Sequence, residues 1–231
     1  MPAISQQTIT DVARQRFQSM GLPQGADRNR FVTYLTSMAG AVAQALDVWR
    51  KGAYLDGVRI HAAIATGGKL RCAVSIESQI LQRAPAGWDS YNRAIAAGVH
   101  NRFTAFANEV SVPGLPWYPG FVAWPGPMAP PVPNTPSPLM TIAAVASRHL
   151  KEGALCDEMF NKMPSPKPLC GKEVALALAS GLEKAAIAWL SAQQVTQVMG
   201  RGPVPSFAPP YVPVGPVVGG DNLPTPGHLA S

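Results

Sequence analysis

Apolar positions recur in steps of three and four over five stretches of the chain, and each stretch predicts an amphipathic helix. In residues 1–21 the stripe is Ile9, Ala13, Phe17 and Met20, and Gly21 with Pro23 ends it. Asp27 is placed to cap a second helix of about 24 residues that stops at Gly52. Its buried face is Phe31, Leu35, Met38, Val42, Leu46 (or Ala45) and Trp49. Ser90 opens a third, with Ile95, Val99, Phe103, Phe106 and Val110 on one side. Ser137 and Pro138 open a fourth with Leu139, Ile142, Ala146 and Leu150 inward, and Gly153 marks a break before Cys156. The fifth covers 171–200, with Val174, Leu178, Leu182 (or Gly181), Ala185, Trp189, Ala192 and Met199 in line. Its other positions are largely Ala, Ser and Gln, which predicts close packing on more than one side.

Between the second and third helices the period changes to two. Val58, Ile60, Ala62 and Ile64 alternate with Arg59, His61 and Ala63, and Leu70, Cys72, Val74 and Ile76 form a second alternating set. This pattern predicts a β-hairpin over about residues 57–78. A three-residue turn, Gly67 to Lys69, would put Ile64 opposite Cys72 and Ile60 opposite Ile76. A helix over residues 73–83 is the competing reading.

Two stretches follow neither period. Val112–Pro138 holds ten of the 24 prolines, and Pro113, Pro116, Pro119 and then Pro127, Pro130, Pro133, Pro136 step in threes. Residues 201–231 repeat the device with Pro210, Pro213 and Pro216. Three residues per turn is the polyproline II period. Both stretches carry aromatic residues, which a plain linker lacks. We therefore expect two extended arms, and six subunit-contact candidates on them: Trp117, Tyr118, Phe121, Trp124, Phe207 and Tyr211; arms that wrap the protein's own core are the competing reading. The expected organisation is a helical region with the hairpin (1–111), a first arm (112–138), a second helical region (139–200) and a C-terminal arm (201–231). The expected fold class is mainly α with a small β-hairpin (α+β), a helical core bearing two extended Pro-rich arms.

Composition narrows the function. Only 14% of the 231 residues are charged while 47% are hydrophobic. An ordinary soluble chain carries about 25% charged residues, so neighbouring subunits are the expected cover for the surface. The net charge of +6 is spread thinly, with no basic run and no basic–aromatic alternation, so nucleic acid is not an expected partner. Asp11, Arg14 and Arg16 argue against a secretory leader, and Glu183-Lys184 interrupts the longest apolar run, so synthesis in the cytoplasm without a membrane span is expected. Gly67-Gly68-Lys69 lacks the other residues of a phosphate loop. His61, His100, His149 and His228 are scattered, and Cys72 with His61 falls on opposite hairpin faces. No catalytic, metal, cofactor or small-molecule site is expected. Cys72, Cys156 and Cys170 read as free thiols; a Cys156–Cys170 bridge, or one between subunits, requires an oxidising compartment.

The segments PGLPWYPGFVAWPGPMAPPVPNTPSPL and GPVPSFAPPYVPVGPVVGGDN resemble structural proteins of tailed bacteriophages and related contractile particles, in style and composition over about a quarter of the chain. The resemblance implies a virion protein of the tail, neck or baseplate, present as repeated copies beside other particle proteins. It also implies a working life outside the cell, where Cys156, Cys170 or Cys72 would be able to form covalent links. The expectation is a non-enzymatic structural subunit whose arms clasp neighbours. The alternative is a soluble scaffolding protein whose arms are ligands for a separate partner.

Overall fold

A computed structural model describes residues 3–21, 25–118, 127–204 and 216–229. The fold is mainly helical α+β. The chain runs α1 (Gln6–Ser19), α2 (Ala26–Gly52), β1 (Tyr54–His61), β2 (Ile64–Arg71), α3 (Ile76–Leu81), α4 (Asp89–Glu109), β3 (Val112–Pro116), β4 (Met128–Val132) and β5 (Ser137–Pro138). It continues with α5 (Leu139–Ala143), a 3-10 turn (Ala146–Leu150), α6 (Glu152–Asn161), α7 (Gly171–Ala192), β6 (Gln194–Val195), β7 (Gly200–Pro203) and β8 (Val218–Asn222).

The helical stripes are the core. Ile9, Ala13 and Phe17 of α1, Phe31 to Trp49 along the α2 stripe, and Ile95 to Val110 along α4 are all buried. α1 starts where Ser5 Oγ accepts from the Thr8 amide at 3.1 Å. α7 packs against α1, α6, α5 and α2. Among the described residues it is the one helix long and apolar enough to cross a membrane, and its apolar side chains are largely buried against these neighbours. Its small residues permit contact at backbone distance. A methyl on Gly181 would lie 2.5 Å from the Ile9 carbonyl oxygen, and one on Gly98 of α4 would lie 2.6–2.9 Å from Met159 of α6. We expect Gly181→Ala to destabilise by about 1–3 kcal/mol, because α1 must move bodily. Gly153→Ala, in open space on α6, should instead stabilise by about 0.5 kcal/mol. Urea unfolding of the two variants checks the contrast, and equal stabilities would refute it.

The strands form one six-stranded antiparallel sheet in the order β3-β2-β1-β8-β7-β4, with a separate β5–β6 pair. The hairpin is real, but its span and register differ from expectation. The strands cover 54–71, His61 pairs with Ile64, and the turn is Ala62-Ala63. Ala62 stands at φ 52°, which an alanine rarely adopts, while its amide donates to Val217 O at 2.7 Å. Gly67-Gly68-Lys69 lies inside β2. Gly57 and Gly68 both take positive φ, and a methyl on Gly68 would meet Val58 Cγ2 at 2.7 Å. Across this glycine pair the inward parity changes: Leu55 and Leu70 are buried on one side, Ile60 and Ala65 on the other. The alternation that predicted the register therefore counted through a break. The helix α3 (Ile76–Leu81) begins inside the expected hairpin span of 57–78 and falls within the 73–83 of the competing reading.

Four of the six strands come from or overlap the Pro-rich stretches. The described parts of the two expected arms thus fold back into the protein's own sheet. Two asparagine side chains complete ladders that the strands leave open. Asn222 Oδ1 accepts from Val58 N at 2.9 Å and its Nδ2 donates to Leu55 O at 2.7 Å. Asn134 does the same for residues 195–198, accepting from Val198 N and donating to Val195 O, both at 3.0 Å. These bonds capture the chain after α7, which ends at Ala192 rather than near residue 200, so Met199 lies off the helix. Ser137 does not cap α5; its Oγ accepts from Trp117 Nε1 at 2.8 Å. The break between α5 and α6 falls at residues 144–151, ahead of Gly153.

Candidate interaction surface at one end of the sheet

Of the six aromatic contact candidates, Trp117 and Tyr118 are 1% and 0% exposed. This corrects their assignment as subunit contacts: they anchor the first Pro-rich stretch to the protein's own core. The Tyr118 hydroxyl donates to Val198 O at 3.0 Å, and burial raises its pKa. Its ring lies against Gly200, where a methyl would meet it at 2.6 Å and Ile60 Cδ1 at 2.6 Å. The glycines of β7 and β8 are the space into which these side chains pack. Phe121, Trp124, Phe207 and Tyr211 lie outside the described residues.

The structure does place the chain on either side of those four aromatics. Tyr118 N donates to Ala63 O at 3.2 Å, Ala62 N to Val217 O at 2.7 Å, and Val204 N to Pro127 O at 2.8 Å. Tyr118, Pro127, Val204 and Pro216 therefore all stand at the end of the sheet marked by the Ala62-Ala63 turn. These four are the described residues that flank 119–126 and 205–215 in the chain. Sequence spacing separates the two segments by about 80 residues, and only the strand order brings their flanks to one place.

The same end carries an apolar rim. Ile64 pairs with Pro116, His61 with Val218, and Met128 with Pro203. Ile64 and Val218 are each 40% exposed and Met128 is 55% exposed, although other large apolar side chains in the sheet are buried or partly buried. Away from the rim the exposed sheet face includes charged pairs: Arg59 faces Asp221 in register, and Arg201 Nε binds Asp221 Oδ1 at 3.2 Å. Pattern reading missed Ile64, Val218 and Met128, because exposure at a strand end is invisible until the register is known.

The outer strands decide how this surface can be used. β3 carries Pro113 and Pro116, and β4 carries Pro130 and Pro131. Prolines on both edges remove amide donors, so a second sheet is not offered an edge to pair with.

Between α1 and α7 the carboxylates are committed to structure. A groove of about 620 Å³ between α1 and α7 contains Glu152 and Glu183. Glu152 pairs with Arg16 at 3.6 Å and accepts from the Ser180 hydroxyl. Glu183 binds Lys151 at 3.0 Å and the Glu152 amide at 2.7 Å, closing the first turn of α6 onto α7. A cavity of about 120 Å³ is lined by Cys72 and His100 among others, a grouping that the sequence did not single out. Cys72 Sγ donates to Trp49 O at 3.3 Å, satisfying a carbonyl at the end of α2, and burial raises its thiol pKa. It is thereby held as the protonated thiol. His61 stands at the turn end of the hairpin and Cys72 follows its open end, so the two do not meet. Cys156 and Cys170 are free thiols, which corrects the bridge considered for them. Among the described residues no three His, Cys, Asp or Glu side chains gather as a metal site. No family model, curated protein or solved structure matches the chain.

Proposed function

We propose that this chain is a non-enzymatic structural subunit of a multi-copy assembly, a virion component of a phage tail, neck or baseplate. One observation carries the assembly reading: the residues flanking two uncharged Pro/aromatic segments, 119–126 and 205–215, stand at one sheet end whose rim is apolar and exposed. Phe121, Trp124, Phe207 and Tyr211 belong to these segments. Burial of each against a neighbour stabilises by roughly 1.5–3 kcal/mol, so four contacts outweigh a typical association cost when several copies engage together. The proline-blocked edges leave side-chain docking as the route of association. The placement in a phage particle rests on the resemblance of the two Pro-rich stretches, and homo-oligomer contacts and other particle proteins are the proposed partners.

Light scattering after size exclusion tests the assembly reading. The protein should form a concentration-dependent oligomer, with closed rings or tubes in negative-stain images. The variant Phe121→Ser/Trp124→Ser/Phe207→Ser/Tyr211→Ser should remain folded and monomeric. A wild-type protein that is monomeric at high concentration would overturn the proposal.

A further inference from the structure

We propose that the cavity between the end of β2 and α4 is a binding site for one small oxyanion, a phosphate or a short carboxylate, which ties the open end of the hairpin to that helix. The site uses none of the residues of the assembly reading and stands independently of it. The cavity, about 120 Å³, has the room of about four waters at ~30 Å³ each, the size of one small anion. His100, Thr104 and Asn108 line it from α4. They follow at steps of four residues, so they share one helix face and are spaced about 6 Å apart along it. Arg71, the last residue of β2, and Cys72 line it from the hairpin. Arg71 Nη1 donates to Asn108 Oδ1 at 3.0 Å, so a neutral partner holds the guanidinium on that helix face.

The charge and the hydrogen-bonding groups select an anion. No Asp or Glu lines the cavity, and among the described residues no carboxylate pairs with Arg71, so its charge is not neutralised there. The groups on offer are donors. Arg71 occupies Asn108 Oδ1, which leaves the Asn108 amide N–H groups to donate, and the guanidinium keeps further N–H groups besides the one on Asn108. Thr104 adds an exposed hydroxyl. His100 Nδ1 is buried and has no hydrogen-bond partner among the described residues, a state that costs stability until something bonds it. An imidazole presents an N–H from either ring nitrogen. An Arg fork beside amide and hydroxyl donors is the usual recognition set for phosphate and carboxylate oxygens. Buried Trp49, Leu70 and Ile76 back the lining, so attraction there is screened less than on an open surface.

Cys72 does not turn the site toward a metal ion. Its Sγ donates to Trp49 O at 3.3 Å and accepts from Val74 N at 3.4 Å, so the thiol is used inside the fold. A soft cation would find His100 and no carboxylate beside it.

Isothermal titration calorimetry of the full-length chain tests the site, with sodium phosphate and sodium acetate as separate probes at an ionic strength held constant with sodium chloride. One anion per chain should bind with a Kd of about 1 mM, and the tighter probe names the source, tetrahedral or planar. Arg71→Gln, at an exposed position, removes the charge and keeps a donor for Asn108, so the fold is retained while binding weakens about tenfold. Arg59→Gln removes an exposed charge that does not line the cavity and should bind like the wild type. No saturable heat from either probe up to about 100 mM would overturn the proposal. So would an unchanged Kd in Arg71→Gln, or an equal weakening in Arg59→Gln, which would mark a response to net charge alone.

Discussion

Replacing Arg50 by Ala is expected to remove about 3 kcal/mol of stability, the lower part of the range for breaking a buried charged network. Arg50 is 2% exposed and joins three parts of the chain. Its Nη1 donates to Leu229 O at 2.8 Å and to Gln193 Oε1 at 3.5 Å, and its Nη2 binds Asp47 at 2.8 Å. Burial alone would raise the Asp47 carboxyl, but hydrogen bonds from Lys51 and Arg50 and their positive charges hold it below the ordinary value. Lys51 Nζ stays on Asp47 at 2.6 Å in the variant, so the aspartate is not orphaned and the cost falls at the low end. What is lost is the tie between the end of α2, the turn after α7 and the C-terminal segment. Gln193 and Leu229 are both fully buried, and their acceptors would be left without the guanidinium. For a domain with a typical total of about 5–15 kcal/mol, this is a large fraction. Urea unfolding should show a lower midpoint with unchanged slope. Hydrogen exchange should accelerate most at Thr196, Gly227 and His228, whose amides the same closure protects. A loss below about 1 kcal/mol would show that water replaces the guanidinium at no great cost.

His228 makes the same closure sensitive to acid. It is fully buried, and its Nδ1 accepts from Leu55 N at 2.8 Å, so the ring is neutral with its proton on Nε2, facing Thr225 Oγ1 at 3.4 Å. Burial lowers its pKa from 6.5 to about 4. The unfolded chain therefore binds a proton that the folded chain refuses between these values. The stabilisation is complete above pH 6.5 and is lost as the pH falls to about 4. The integrated effect is about 3 kcal/mol. His228→Asn offers an oxygen to the Leu55 amide and does not titrate, so its stability should vary less by about that amount between pH 7 and pH 4. Urea midpoints at pH 7, 5.5 and 4 compare the two proteins. Parallel profiles would remove His228 as the source. Asp47 adds a loss in the same direction at still lower pH, since its depressed carboxyl is protonated only below its ordinary value.

Both effects concern a C-terminal segment whose composition predicts an extended arm clasping a neighbour, and the reason lies in what local pattern can record. The helices α1, α2 and α4 were legible because a 3.6-residue period is written into neighbouring positions: Phe31, Leu35, Met38 and Val42 share a face whatever they pack against. α7 was legible as a helix, but not its end. Ala192 is followed by residues that remain compatible with a helix, and it is Asn134 and Leu139, some 55–65 positions away, that draw 193–198 into pairing. The hairpin was legible as a change of period, while its register was not. Gly57 and Gly68 reverse the inward parity, and the turn sits on Ala62-Ala63, which carry none of the usual turn residues.

The candidate surface divides in the same way. Proline steps and interleaved aromatics mark both stretches as stiff and adhesive by composition alone. Composition does not distinguish Trp117 and Tyr118, which the core takes in, from the aromatics a few positions later. That separation depends on Ser137, Val198 and Gly200, all distant in sequence, arriving at one place. The amino-acid order thus settles which segments are helical, which are extended, and that the extended ones carry aromatic side chains. Strand order alone decides that both emerge at one end of one sheet, beside Ile64, Val218 and Met128. The physical reason is range: backbone preference and periodicity act over a few residues, whereas strand pairing and burial join positions more than a hundred residues apart, as β1 and β8 do.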